Sequence, residues 1–350
     1  MDGLQTPRRA RDLGILVGTR PPGQLDAITD VPGVRVGHTT LVEGDSIRTG
    51  VTAIVADRLD EHRSLPAGLF VGNGYGKMVG STQLAELGEI ETPVLLTATL
   101  STFRVADALV TYMLGRPGRA DIQSVNPVVA ETNDGFLSDI RARPITTQHV
   151  LAALEGATAD LPEEGTVGAG TGTAALGFKG GIGTASRLVT TSTGTVTVGA
   201  LAQTNFSGIL RVLGTPVPPE SVGVPVPPAA SDHPGNSCVI VVATDGRFDA
   251  RQLGRIARRA VFAMGRVGSD FAGGSGDYAI AFSTAVHGPT AQEQHLEPVF
   301  GATLEAVEEA LLNSLFMART TIGFRGHIKY AVPHDRLRER LRAYRVEPGL

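Results

Sequence analysis

The 350-residue sequence has no tryptophan, a single cysteine (Cys238), and only 19% charged residues. One thiol excludes an internal disulfide and any cysteine-rich metal site. The eight histidines are scattered and give neither an HExxH pair nor other paired ligand spacing, so no metal and no cofactor is expected. A formal net charge of −4 supplies no basic field for nucleic acid or an anionic membrane surface. After Arg8, Arg9 and Arg11 the apolar stretch Leu13 to Val17 is five residues long, too short for a signal peptide or a membrane span. The expectation is a soluble, cytoplasmic protein. Phosphate-binding motifs are missing too. Gly76-Lys77 lacks a following Ser or Thr and a glycine five residues earlier, and residues 165–187 contain no Gly-x-Gly-x-x-Gly.

What is present is apolar residues at 42%, enough for a substantial core, and 44 glycines where average usage of about 7% gives roughly 25. Such an excess without repeats points to tight turns and close backbone approaches. Strand and helix signals are mixed without regular βαβ alternation, which argues for an α+β chain. Seven prolines between Gly214 and Pro234 deny helix and central strand and predict a long exposed loop. Leu253, Ile256, Ala257, Ala260, Val261 and Met264 fall at helical spacing, and a further helix is expected over Leu304 to Met317.

The proline-rich loop ends at Asn236-Ser237, and the apolar run Cys238 to Ala243 follows directly. That run reads as a buried strand with a hydroxyl at its start. Ser237 is either a capped strand start or a nucleophile made by cutting the loop before it. A serine hydroxyl needs a base. Gly-x-Ser-x-Gly is absent, and His233 in the loop is a weak candidate. Scission before Ser237 would give it its own α-amine, whose reference pKa of about 7.7 suits a base. Alternation along the strand points Cys238 to the opposite face, as a small buried hydrophobe.

Asn236-Ser237 entering a strand that ends Ala243-Thr244-Asp245 resembles the DmpA family of L-aminopeptidase/D-alanine esterase-amidases, with its β-peptidyl aminopeptidase and nylon-oligomer hydrolase relatives. The resemblance runs from about Asp30 to Pro333. It implies an αββα sandwich like that of N-terminal-nucleophile hydrolases, formed by one peptidase domain over 1–350. It also implies self-cleavage into 1–236 and 237–350, no cofactor, and a homotetramer. Residue by residue, Ser237 matches the nucleophile, and Ser275 and Asp277 match an element that orients its amine and hydroxyl. The two share one face of their strand and are expected to face the nucleophile. Asn205, in Gln-Thr-Asn-Phe, matches an oxyanion donor, and Lys179 matches a site lysine of the nylon-oligomer hydrolases. Glu131 matches a carboxylate suited to a substrate ammonium, and Phe136 stands where the family carries an oxyanion tyrosine. The expected activity is release of N-terminal residues from short peptides, amides or esters. The rivals are an endo-acting ω-amide hydrolase, an acetyl-group transferase on a related self-cleaving scaffold, and a binding relative that never cleaves.

Overall fold

The computed structural model describes residues 5–191, 194–226, 236–287, 290–293 and 296–344. His233 and the second half of the proline-rich loop lie outside the described residues. Strands β1 (Val34–Glu43), β2 (Ile47–Ala56), β3 (Leu65–Gly74), β4 (Met78–Val79), β5 (Glu89–Ile90), β6 (Val94–Ala98) and β7 (Val128–Thr132) come first. Helices α1 (Arg58–Glu61), α2 (Ser81–Glu86) and α3 (Thr102–Leu114) lie between them, and α4 (Thr147–Glu155) follows. A small hairpin, β8 (Ala174–Ala175) and β9 (Phe178–Lys179), leads into β10 (Ile182–Thr191) and β11 (Gly194–Asn205). After the pair β12 (Arg211–Val212) and β13 (Thr215–Pro216) come β14 (Asn236–Thr244), α5 (Ala250–Arg266) and β15 (Ser275–Ser283). Helix α6 (Leu296–Phe316), the pair β16 (Thr321–Ile322) and β17 (Ile328–Lys329), and α7 (His334–Ala343) follow.

One sheet runs β1-β2-β6-β7-β4 and the other β10-β11-β14-β15-β3-β5. Side-chain alternation assigns the layers. Ile54, Leu96 and Ala130 of the first sheet pack against Leu201, Val239, Val241 and Ile280 of the second. The opposite faces are covered by helices: Val51, Leu95 and Val129 meet α3 and α4, while Cys238, Ile240 and Val242 meet α5 and α6. This is the expected αββα sandwich, with β14 buried on both faces, which is why its apolar run is continuous rather than alternating.

The glycine excess has a local cause. A Cβ on Gly183 would lie 1.9 Å from the Ala310 carbonyl of α6, and one on Gly68 would lie 2.1 Å from the Gly254 nitrogen of α5. Helices therefore sit directly on sheet backbone at these two points. Helix α5 begins with a capping box: Gln252 N–H donates to Asp249 at 2.7 Å, and Asp249 N–H donates back to Gln252 at 3.1 Å. Its Leu253, Ile256, Val261 and Met264 are buried as the spacing predicted, each contributing about 1.5–3 kcal/mol. Helix α6 is longer than expected and is buried almost all round, Glu305 and Glu309 included, so its amphipathic signal was weak. Those carboxylates receive the N-terminal arm. Arg11 pairs with Glu309 at 2.9 Å and Asp26 at 2.7 Å, and the fully buried Arg187 of β10 joins Asp26, Glu305 and Glu309.

Candidate active site

Ser237 is the second residue of β14, between antiparallel β11 and parallel β15. The registers put it opposite Asn205 on one side and Gly276 on the other. Residues opposite one another in a ladder share a face. Ser237 and Asn205 therefore both look into the layer between the sheets, along with Val239 and Leu201. Both are buried, and the Ser237 hydroxyl donates to the Asn236 carbonyl oxygen at 2.6 Å. The Asn205 carboxamide oxygen accepts the Ala174 N–H at 3.0 Å.

Ala174 pairs with Lys179 across the β8–β9 hairpin, which brings the lysine behind Asn205. Lys179 is fully buried, and its ammonium donates to the carbonyls of Gly170 (2.9 Å) and Gly180 (2.8 Å). Burial pulls its pKa down to about 7, with Asp134 pulling the other way. A glycine-rich turn thus supplies carbonyls, not counter-charge, and the ammonium is held near its titration point at neutral pH.

Asp134 itself escaped the sequence reading, although it lies in the Glu131 to Phe136 stretch singled out there. Neither of its carboxylate oxygens has a hydrogen-bond partner at normal geometry. Burial pushes its pKa up to about 7, aided by Glu131 and opposed by the Thr49 hydroxyl and Lys179.

Ser275 donates to Asp277 Oδ1 at 2.7 Å, so these two residues are brought together as expected. Their placement differs from expectation. Ser275 is opposite Asn236 and Asp277 opposite Cys238, so both lie on the α5 face of the sheet, and the side chain of Ser237 points to the other face. The cause is register: Gly276, not Ser275, is level with Ser237. The pair therefore stands level with Asn236 and Cys238, one residue to either side of Ser237, instead of facing the hydroxyl. Asn73 Nδ2 donates to the second Asp277 oxygen at 2.8 Å. Burial raises the Asp277 pKa, and the Ser275 and Asn73 hydrogen bonds oppose it.

Asn73 is the second-last residue of β3, where the strand runs into the loop that leads to β4. This stretch ties three site residues together. Asn73 holds Asp277, Tyr75 N–H donates to the Ser275 carbonyl at 3.1 Å, and Lys77 N–H donates to Glu131 at 2.9 Å. The other Glu131 oxygen accepts from the Thr99 hydroxyl. Glu131 is buried near the end of β7, and burial raises its pKa against those two donors. A carboxylate has about four acceptor positions, so two donors leave capacity for a third. Phe136 stacks on His327 with ring centres 4.5 Å apart, and the Lys329 ammonium lies 4.9 Å from its ring centre. Without a hydroxyl, Phe136 offers no side-chain hydrogen bond to an oxyanion. Cys238 is buried in the α5 core, and burial followed by the nearby Asp277 pushes its thiol pKa well up, which disqualifies it as a nucleophile.

Comparison with known proteins bears on the fold and the family. The β-peptidyl aminopeptidase BapA of Sphingosinicella microcystinivorans is 38% identical, the match covering 96% of this chain and 92% of the relative. The structure of a Burkholderia sp. β-aminopeptidase superposes with a TM-score of 0.89 at 37% identity, covering 97% of this chain and all of the other. An L-aminopeptidase D-Ala-esterase/amidase from Ochrobactrum anthropi, described as a prototype of the serine aminopeptidases and a variant of the Ntn hydrolase fold, superposes at 0.86. It is 35% identical, with 95% and 98% of the two chains covered. The model of peptidase family S58 matches residues 26–329, a span holding every residue placed above. With that fold and those relatives, the chain belongs to peptidase family S58 and is a hydrolase acting on peptide bonds.

Proposed function

We propose that the chain cuts itself between Asn236 and Ser237 and then works as an aminopeptidase and amidase with Ser237 as its N-terminal nucleophile. The observation that carries this reading is the Ser237 hydroxyl, 2.6 Å from the carbonyl oxygen of the peptide unit it would attack. In the first step Ser237 Oγ bonds to the Asn236 carbonyl carbon as that carbon's bond to nitrogen breaks. The hydroxyl proton ends on the departing nitrogen, which becomes the α-amine. Water then hydrolyses the ester, leaving a carboxylate on Asn236 and restoring the hydroxyl. In turnover the α-amine takes the hydroxyl proton while Ser237 attacks a substrate carbonyl, and water releases the acyl group. Ser275 and Asp277, level with the residues on either side of Ser237, hold the amine. Asn205, level with Ser237 on the same face, donates to the oxyanion, and Lys179 behind it adds positive potential.

Glu131 grips the free ammonium of a short peptide, amide or ester, which makes the enzyme exo-acting. The relatives named as β-peptidyl aminopeptidases support this over the ω-amide oligomer reading. Phe136 lines the same end. The reading also includes one peptidase domain over 1–350 and a homotetramer of processed units, which rest on the family resemblance, and a cytoplasmic location, which rests on the short apolar stretch after Arg11. No helix among the described residues is long and apolar enough to cross a membrane. The test is hydrolysis of aminoacyl p-nitroanilides with free and with acetylated amines. The wild type is expected to cleave only the free-amine series and Ser237→Ala neither. Equal rates on both series would remove Glu131 from substrate binding.

A further inference from the structure

We infer that Ser207 and Asp270 are positioning residues for the scission before Ser237, acting through the side chain of Asn236; this rests on the self-processing reading above. Asn236 Nδ2 donates to Ser207 Oγ at 2.8 Å, and Ser207 Oγ donates to Asp270 Oδ1 at 2.7 Å. A hydroxyl has one proton. With that proton committed to the carboxylate, the Ser207 oxygen is fixed as an acceptor and the Asn236 amide is drawn to one place.

The relay stands on a stiff platform. Residues 207–211 and 267–270 are laced by backbone hydrogen bonds from Ile209 to Gly268 (3.1 Å) and from Arg211 to Val267 (2.8 Å). Gly208 and Ser269 form a bridge between them. Gly208 has φ +130°, and a Cβ there would lie 2.1 Å from the Gly268 carbonyl, so the two segments approach as closely as glycine permits. Asp270 Oδ1 also accepts the Ala272 N–H at 3.2 Å, which orients the carboxylate. Ser207 comes two residues after Asn205. One stretch of chain therefore carries both the residue level with Ser237 and the hydroxyl that holds Asn236.

The consequence is specific to maturation. Attack by Ser237 Oγ needs the Asn236 carbonyl held still, and anchoring the Asn236 side chain restricts the rotations on either side of that carbonyl. Once the bond is cut, Asn236 is a chain end, and its anchor has no part in turnover. Ser207→Ala isolates the effect better than a change at Asp270, because Asp270 also pushes up the pKa of Asp277.

Scission of freshly made chains, followed by intact mass under denaturing conditions, tests the relay. Ser207→Ala should slow the cut on the order of fivefold, the value of one ordinary hydrogen bond. Ser207→Thr, which keeps the hydroxyl, should recover most of the rate. Asn236→Ala should be slowed similarly, and Ser207→Ala added to it should slow it no further. Ser207→Ala material that has finished processing should hydrolyse a free-amine p-nitroanilide with wild-type kcat and KM. Equal scission rates in wild type and Ser207→Ala, additive effects in the double variant, or a kcat loss in processed Ser207→Ala would each overturn the inference. If wild type itself stays uncut, the self-processing reading falls and this inference falls with it.

Discussion

Where the N-terminal arm follows α6, four guanidiniums (Arg9, Arg11, Arg20, Arg187) meet four carboxylates (Asp26, Glu164, Glu305, Glu309) in one ionic cluster. Behind Asn205, Lys179 and Asp134 are as deeply buried but are treated differently. The ammonium has two backbone carbonyls, and the carboxylate has chiefly the Thr49 hydroxyl to oppose its burial from close by. In the arm, opposite charges at close range offset part of the cost of leaving water, although burial still raises the pKa of Glu309 and pushes that of Glu164 up to about 7, and the cluster locks an otherwise irregular segment to the fold. Behind Asn205 burial dominates, and both groups come to titrate near neutrality. Unpaired buried charge is costly to stability, and such groups gather where chemistry needs them. On the proposed mechanism, the arm cluster stabilises the fold and the Lys179 region serves the site.

Removing a charge on each side should break this comparison if it is wrong. The largest stability effect is expected from Arg187→Met, which strands buried carboxylates of three residues and should cost about 3–5 kcal/mol in urea unfolding. A loss below about 1 kcal/mol would show that the cluster contributes little. Lys179→Met is expected to do the opposite, cutting kcat by about 10²–10³-fold while leaving the urea midpoint unchanged or raised. Unfolding of that variant would put Lys179 in the structural class.

Asp134 sharpens the contrast through pH. Its pKa is raised from 3.8 to about 7, so between those values the folded state holds a proton that the unfolded state has lost. The sign follows: this group makes the protein less stable as pH rises through that window. Asp134→Asn removes that dependence, and its stability relative to wild type should improve by about 1–3 kcal/mol from pH 4 to pH 7. A flat difference across that range would mean that Asp134 is not buried and unpaired in solution. The smallest effect is expected outside both regions, at the α5 cap, where Asp249→Ala should cost about 1 kcal/mol with normal kcat.

The same contrast explains what could be read in advance. Strand β14 and helix α5 were legible because burial writes itself into local periodicity, a continuous apolar run in one and a 3–4 spacing in the other. Ser237 stood out because a hydroxyl sits where a loop turns into that run. The face taken by Ser275 and Asp277 was not legible. The register of β15 against β14 is set by packing across the intervening helix, and an offset of one residue reverses every side chain. Asn73, Asp134 and Ser207 were missed for a related reason. Asparagine, aspartate and serine in turns are ordinary turn formers, and only their long-range partners mark them out. Arg187 was hidden similarly, since its counter-charges come from residues 26, 305 and 309, far away along the chain.

The most direct measurement is the denaturing mass spectrum of enzyme that is actively hydrolysing a free-amine substrate. The account predicts two polypeptides, residues 1–236 and 237–350, and one uncut, inactive chain for Ser237→Ala. Full activity from a wild-type chain that is still whole would contradict it, because a Ser237 still in peptide linkage has no amine to accept its proton.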